Sequence, residues 1–255
     1  MTALPDDVDP AVPRMGWRCG VIRTPGAAAG PALVVLKFGG SLLARPDWPT
    51  LLATLVQTQT AKKLAAVQIG LGPGVTRDHP DYAALTLLTR VLSSFPTGWL
   101  DQALRGEDVG LVYVVGSYQV TGLVPGYVGV TFNAKPESVT EALQKTAAVF
   151  ERARTEKVDD ATLARAKASV LTDEFVGKQS NEDRAAEASL QVMYGLGLDE
   201  SEKFLAKVQA LTAEDLQKTA QKYLRNPVIA VISHEPLPKE QLLKAFPEAA
   251  PTPEK

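Results

Sequence analysis

The sequence predicts an α+β domain: a largely antiparallel sheet with helices packed on one face, preceded by a short strand–turn–helix remnant. Three observations carry that prediction. Runs rich in β-branched and aromatic residues, which suit a pleated surface, stand at 65–71, 110–118, 126–133 and 228–232. Residues 137–226 hold no proline. A proline inside a helix costs about 3 kcal/mol, so a stretch of that length without one points to helices. The resulting order is strand, helix, hairpin, several helices, strand. Such segregation is the pattern of helices covering one face of an antiparallel sheet.

The elements follow in order. Residues 1–30 are a Pro/Gly/Ala-rich stretch and read as a poorly ordered leader. Residues 31–63 read as a short separate unit, with a strand at Ala32–Lys37, a turn at Gly39, Gly40 and Ser41, and a helix over 50–57. The main body, 64–236, opens with a strand at Ala65–Leu71 and a Gly72-Pro73-Gly74 loop. Residues 80–94 place Leu85, Leu88, Val91 and Leu92 at helical spacing, with Pro80 in the first turn. Turn chemistry at Thr121–Pro125 joins 110–118 to 126–133 as an antiparallel hairpin. Trp99 and Leu100 are expected to pack beneath that hairpin.

Among the helices, Ser138 and Glu141 predict a capping box before a run to Arg154. Asp159 or Asp160 caps a second helix through Glu174, and 181–194 forms a third that stops at Gly195 and Gly197. Thr212 and Asp215 repeat the box before a helix through Leu224. Pro227 ends it, and Val228–Ile232 is a last buried strand. The balanced charges of 151–168 predict a solvated helix face. Residues 237–255 read as a flexible Pro/Lys/Glu tail.

Composition bounds the function. Of 255 residues, 45% are apolar and 22% charged, and 27 Lys and Arg against 29 Asp and Glu leave a net charge of −2. That is a globular composition without the basic field that nucleic-acid binding needs. A single cysteine, Cys19, excludes an internal disulfide and a thiolate metal cluster. The two histidines, His79 and His234, limit metal and acid–base chemistry. Asp78, His79 and Asp81 lie in one loop but read as solvated, and His234 reads as an exposed loop residue. No apolar run approaches the roughly 20 residues of a membrane span. The acidic, proline-broken N-terminus does not read as a secretory signal, so a cytoplasmic location is the default expectation.

Several short motifs in the main body resemble, in order, the C-terminal domain of the pitrilysin-type zinc metallopeptidases. That family includes insulin-degrading enzyme, mitochondrial processing peptidase and the core proteins of the respiratory cytochrome bc complex. The motifs are Gln68-Ile69 to Asp81-Tyr82-Ala83-Ala84-Leu85, Leu104-Arg105 with Gly110-Leu111-Val112-Tyr113, Val158-Asp159 to Leu163-x-x-Ala166-Lys167, Tyr194-Gly195-Leu196, and Leu211–Leu216 through Tyr223-Leu224. The chain departs from the pattern at three points. Thr162 stands where the second-helix motif has Glu, Ser93–Thr97 replaces a glycine-rich segment, and one extra residue lies between Arg105 and Tyr113.

The resemblance implies a division of labour. Family peptidases bind zinc through an H-x-x-E-H motif in their N-terminal domain, where the Glu acts as general base for the zinc-bound water. This sequence contains no such motif, so no catalytic residue and no cofactor are assigned to it, and zinc is expected only in a partner chain. The expected partners are a zinc-bearing homologous subunit or domain and an unfolded peptide. By resemblance, Arg105 and Tyr113 are the substrate-facing pair. A guanidinium donates two hydrogen bonds to a carbonyl or carboxylate, and a phenol donates to a developing oxyanion.

Residues Val34–Leu43 resemble the first strand and phosphate loop of the amino acid kinases. That resemblance implies phosphate contacts at Lys37, Gly39, Gly40 and Ser41, although about 30 residues hold no acceptor pocket. Three readings therefore stand: a non-catalytic substrate-holding domain of a zinc peptidase, a structural assembly subunit without peptide chemistry, and an ATP-binding kinase fragment.

Overall fold

The computed structural model describes residues 64–106, 108–233 and 237–246, together with the backbone of two strands, 20–22 and 32–35. The strands are β1 Gly20–Ile22, β2 Ala32–Val35, β3 Ala65–Leu71, β4 Val112–Val120, β5 Tyr127–Ala134 and β6 Val228–Ser233. The described helices are α1 Tyr82–Leu92, α2 Trp99–Arg105, α3 Val139–Thr155, α4 Asp160–Val176, α5 Asn181–Met193, α6 Glu200–Ala210, α7 Ala213–Tyr223 and α8 Lys239–Ala245.

Four strands, β6-β3-β5-β4, make the antiparallel heart of the sheet, and the full order is β1-β2-β6-β3-β5-β4. β3 lies between β5 and β6 and is buried along all seven residues. That burial explains why its sequence is almost continuously apolar rather than alternating. Val67, Ile69 and Leu71 of β3, Val130 and Phe132 of β5, and Ile229 and Val231 of β6 meet the helices in one core. Leu85, Leu88, Val91 and Leu92 of α1 are all buried in it, as their spacing predicts. Each such side chain contributes roughly 1.5–3 kcal/mol by leaving water.

The sheet's other face carries a polar contact. Gln68 Nε2 donates to Tyr118 Oη at 2.7 Å, and the Tyr118 ring lies across Gly129. A Cβ on Gly129 would come within 2.4 Å of that ring, so a side chain there would push the Tyr118 ring aside.

Helix starts follow their caps where the backbone allows. Asp159 Oδ1 accepts from Thr162 N at 2.8 Å, which settles the cap of α4 on Asp159. Thr162, in place of the motif Glu, adds a hydroxyl bond to Asp159 Oδ2. The Thr212–Asp215 box forms reciprocally, and Ser180 and Asp183 form a second one that begins α5. The Ser138–Glu141 box does not form. A 3₁₀ turn at Pro136–Ser138 leads into α3, so Ser138 has helical dihedrals and its side chain caps nothing.

Three further expectations change. Helix α6 went unassigned in the sequence; it is held by Phe204 and Val208, one turn apart and both buried. The stretch 237–255, expected as a flexible tail, contains α8, which packs Leu242, Ala245 and Phe246 into the core beside Phe150. Strand β2, expected in a separate unit, pairs antiparallel with β6, and β1, expected in a poorly ordered leader, pairs with β2. Trp99 and Leu100 are buried, with the Arg152 guanidinium 4.0 Å above the Trp99 ring.

Candidate functional site

Arg105 is the last residue of α2, and Tyr113 is the second residue of β4. The Gly106–Leu111 connection folds back on itself. Leu111 N donates to Leu104 O at 3.0 Å, tying the start of the strand to the end of the helix. Gly110 turns the loop at φ 51°, a conformation glycine adopts without strain. The two predicted residues therefore project from neighbouring points of the backbone.

A β-bulge follows at the start of β4. Val112 opposes Ala134, Val114 opposes Asn133, and Tyr113 is left without an opposite number. As a result Tyr113 and Val114 are both exposed between the buried Val112 and Val115, and Tyr113 is 84% exposed. Its phenol makes no hydrogen bond to a described residue.

Arg105 is held on two sides. Its guanidinium stacks 4.2 Å from the centre of the Phe95 ring, and Nη1 lies 3.8 Å from Asp101 Oδ1, one turn back along α2. Asp101 is 2% exposed, and no hydrogen bond of good geometry reaches either of its carboxylate oxygens from a described residue. Burial pushes its carboxyl above the usual carboxylate range, and the Ser93 hydroxyl, the Arg105 charge and the Ser94 backbone N–H beside it only partly offset this. Sequence reading missed both Phe95 and Asp101. Phe95 belongs to the segment that departs from the family pattern, and the i,i+4 spacing of Asp101 and Arg105 was the available signal.

The loop at 78–82 is committed elsewhere. Asp81 Oδ2 accepts from Lys222 Nζ at 2.6 Å and from Tyr223 Oη at 2.7 Å, and His79 Nδ1 accepts from Asp81 N at 3.0 Å. These contacts clamp the loop to α7. Among the described residues, no three His, Cys, Asp or Glu side chains are grouped so that they could share a metal ion. No described helix is long and apolar enough to cross a membrane. Lys37, Gly39, Gly40 and Ser41, with Cys19 and His234, lie outside the described residues.

Residues 47–170 match the family model described as the peptidase M16 inactive domain. A search of curated proteins finds no significant match. Among solved structures, the fold is similar to that of a peptidase M16 inactive domain from Pseudomonas fluorescens. The TM-score is 0.59 and the identity 24%, over 66% of this chain and 40% of that one. A protease from Helicobacter pylori gives a TM-score of 0.58 and 21% identity, over 66% and 41% of the two chains. A chain of complex III₂ from Candida albicans gives 0.59 and 16%, over 74% and 47%. The present chain therefore spans less than half the length of each of these three structures. These comparisons do not show the amino acid kinase resemblance of residues 31–60. Both the sequence match over residues 47–170 and the fold are those of the inactive domain of the M16, or pitrilysin, peptidases.

Proposed function

We propose that this chain is a non-catalytic, substrate-holding domain that works with a separate zinc-bearing M16 half. The observation that supports this most directly is the Arg105–Tyr113 corner. Within a stretch matching an inactive peptidase domain, a partly exposed guanidinium and an exposed phenol project from backbone held together by the Leu104–Leu111 bond. In a closed pair, Arg105 would donate to a carbonyl or carboxylate of an unfolded peptide, and Tyr113 to the oxyanion that forms at the scissile carbonyl. The general base and the metal would belong to the other half.

The test is reconstitution with a homologous chain bearing H-x-x-E-H, with cleavage of unfolded casein as the readout. Arg105→Ala and Tyr113→Phe should each lower cleavage while the pair still co-purifies. One observation favours a second reading, that of a structural assembly subunit. The bulge lies at Tyr113, within the span where the family resemblance implies one extra residue. Undiminished cleavage with both variants in an intact pair would establish that second reading.

A further inference from the structure

Helix α5 is held to the rest of the molecule differently from its neighbours. Of its 13 residues only Gln191 is buried, and no apolar side chain is. Every other described α-helix buries at least two apolar side chains, such as Ala166 and Val170 in α4, Phe204 and Val208 in α6, and Leu216 and Ala220 in α7. Leu190, Val192 and Met193 of α5 are instead 42%, 64% and 66% exposed. The helix therefore lacks the packed apolar face that supplies most helical stability in a folded domain.

Polar links take its place. Glu187 Oε1 accepts from Arg77 Nη2 at 3.4 Å and from Gln191 Nε2 at 3.1 Å, and Gln191 Nε2 also donates to Ser201 Oγ at 3.0 Å. Both anchors belong to the body of the domain. Arg77 lies over the Tyr82 ring, 4.7 Å from its centre, and that ring packs on Phe204 at 5.4 Å. Ser201 stands in the first turn of α6, whose Phe204 and Val208 are buried. Towards the sheet, α5 faces open space. A cavity of about 340 Å³ separates Leu190 and Tyr194 from Gln119 and Val120 at the end of β4, and a second, of about 230 Å³, lies between α1 and the end of α4. Arg77 and Glu187 line both, so their ion pair is the partition between them.

We propose that α5 is a strap, latched shut through Glu187 and Gln191 and released by ionic strength, whose opening joins the two cavities into one cleft. This goes beyond the peptide-holding reading and does not rest on it. The near end of the strap is fixed, because Lys178 Nζ in the preceding turn bonds both Glu174 and Ser201. Arg184 Nε donates to Lys178 O at 3.0 Å beside that turn and leaves the far end of the helix untied. There Gly195, at φ 73°, and Gly197 join α5 to α6 through yielding backbone. Release is local. A helix of this length is marginal in water on its own, so α5 melts once it leaves its anchors. No apolar side chain leaves the core with it, so the other elements stay folded. Salt acts because the side chains of the latching ion pair are 26% and 25% exposed, within reach of screening. Lys178 is engaged with Glu174 and Arg90 with Asp173, so Arg77 is the cation that meets Glu187.

Native-state amide hydrogen exchange on the full-length chain tests the strap. The α5 amides from Ala185 to Met193 should exchange about 100-fold faster than those of α1 and α3, through an opening that depends little on urea. Raising NaCl from about 0.1 M to about 1 M, which shortens the screening length from about 10 Å to about 3 Å, should speed them a further threefold or more. Glu187→Gln, at a partly exposed position, should speed them at low salt and remove the salt effect, with the exchange of α1 unchanged. Gln191→Ala should also speed them but keep the salt effect. Protection of α5 equal to that of α1, with exchange only through global unfolding, would overturn the proposal. Fast exchange that neither salt nor Glu187→Gln alters would overturn it too, because the helix would then fray without a latch. None of these outcomes bears on Arg105 or Tyr113.

Discussion

Asp101 Oδ1 and Arg105 Nη1 are 3.8 Å apart on successive turns of α2, and the carboxylate is 2% exposed without a hydrogen bond of good geometry from a described residue. At that distance, with Arg105 a quarter exposed, the pair leaves the buried charge under-compensated. The same Arg105 is stacked on Phe95. Asp101 and Phe95 thus fix where the guanidinium sits, and Asp101 does so at the expense of stability.

Asp101→Asn is therefore expected to raise Tm at pH 7, because burial costs an amide less than a carboxylate and outweighs the contacts from Ser93, Arg105 and Ser94. The pH dependence carries the sign. Burial raises the folded-state pKa above the ordinary 3.8, so the folded protein holds its proton more tightly than the unfolded chain does. Wild-type stability from this group falls as pH rises from 3.8 through the raised pKa, and the deficit is complete above it. The Tm gain of Asp101→Asn should be largest at neutral pH and vanish as pH approaches 3.8. A gain that is independent of pH, or a loss, would show that the contacts with Ser93 and Ser94 satisfy the carboxylate.

Much of the fold was legible in the sequence because single-element signals were strong. The Leu85, Leu88, Val91, Leu92 spacing and the Thr212–Asp215 box are read from local chemistry and appear as predicted. The misses share a physical cause, a tertiary context that local pattern does not encode. Ser138 loses its cap because Pro136 starts a 3₁₀ turn ahead of it. α8 lies in a Pro/Lys/Glu-rich stretch and is held by contacts to α3, more than 80 residues earlier. At the candidate site, motif order identified Arg105 and Tyr113, whereas the Phe95 and Asp101 contacts depend on how the Ser93–Thr97 segment wraps back onto α2. The bulge at Tyr113 is seen only in the pairing register, because a β-bulge has no local sequence signal here.

Asp81 has the opposite sign to Asp101. Burial pulls its carboxyl upward, but the hydrogen bonds from Lys222 and Tyr223 outweigh this, and its pKa lies below the ordinary 3.8. Its contribution is present above 3.8 and is lost as pH falls through the lowered folded-state pKa. Asp81→Asn should lower Tm at pH 7, with the difference closing only below pH 3.8. Tyr223→Phe, which removes one bond to the carboxylate, should cost about 1.5–3 kcal/mol in urea unfolding, and Lys222→Ala, at an exposed ammonium, less than about 1 kcal/mol. Equal losses in the two variants would contradict this ranking.

Tyr113 separates function from stability. At 84% exposure and outside the regular ladder, its side chain supports little of the fold. Tyr113→Ala should change unfolding free energy by less than about 0.5 kcal/mol. Arg105→Ala removes the Phe95 stack and leaves Asp101 uncompensated, and should cost about 1–3 kcal/mol, more than Tyr113→Ala at any pH above the Asp101 titration. Denaturant melts of the two variants check the order. A large loss at Tyr113 would mean that its ring packs on part of the protein outside the described residues.

The C-terminal helix makes the sharpest test of the fold. Phe246 is 1% exposed, and its ring meets Phe150 of α3 edge-on at 5.8 Å, with Leu242 and Ala245 buried beside it. These side chains close one end of the core, so α8 is an integral part of it although it lies beyond the last strand. Phe246→Ala should cost about 3–5 kcal/mol, as for any large aromatic removed from a packed interior. Ending the chain at Pro238 should cost more, because Phe150 and its neighbours would face water. If guanidinium melts of the truncated chain keep the full-length midpoint, α8 is peripheral and the packing described at the end of α3 is wrong.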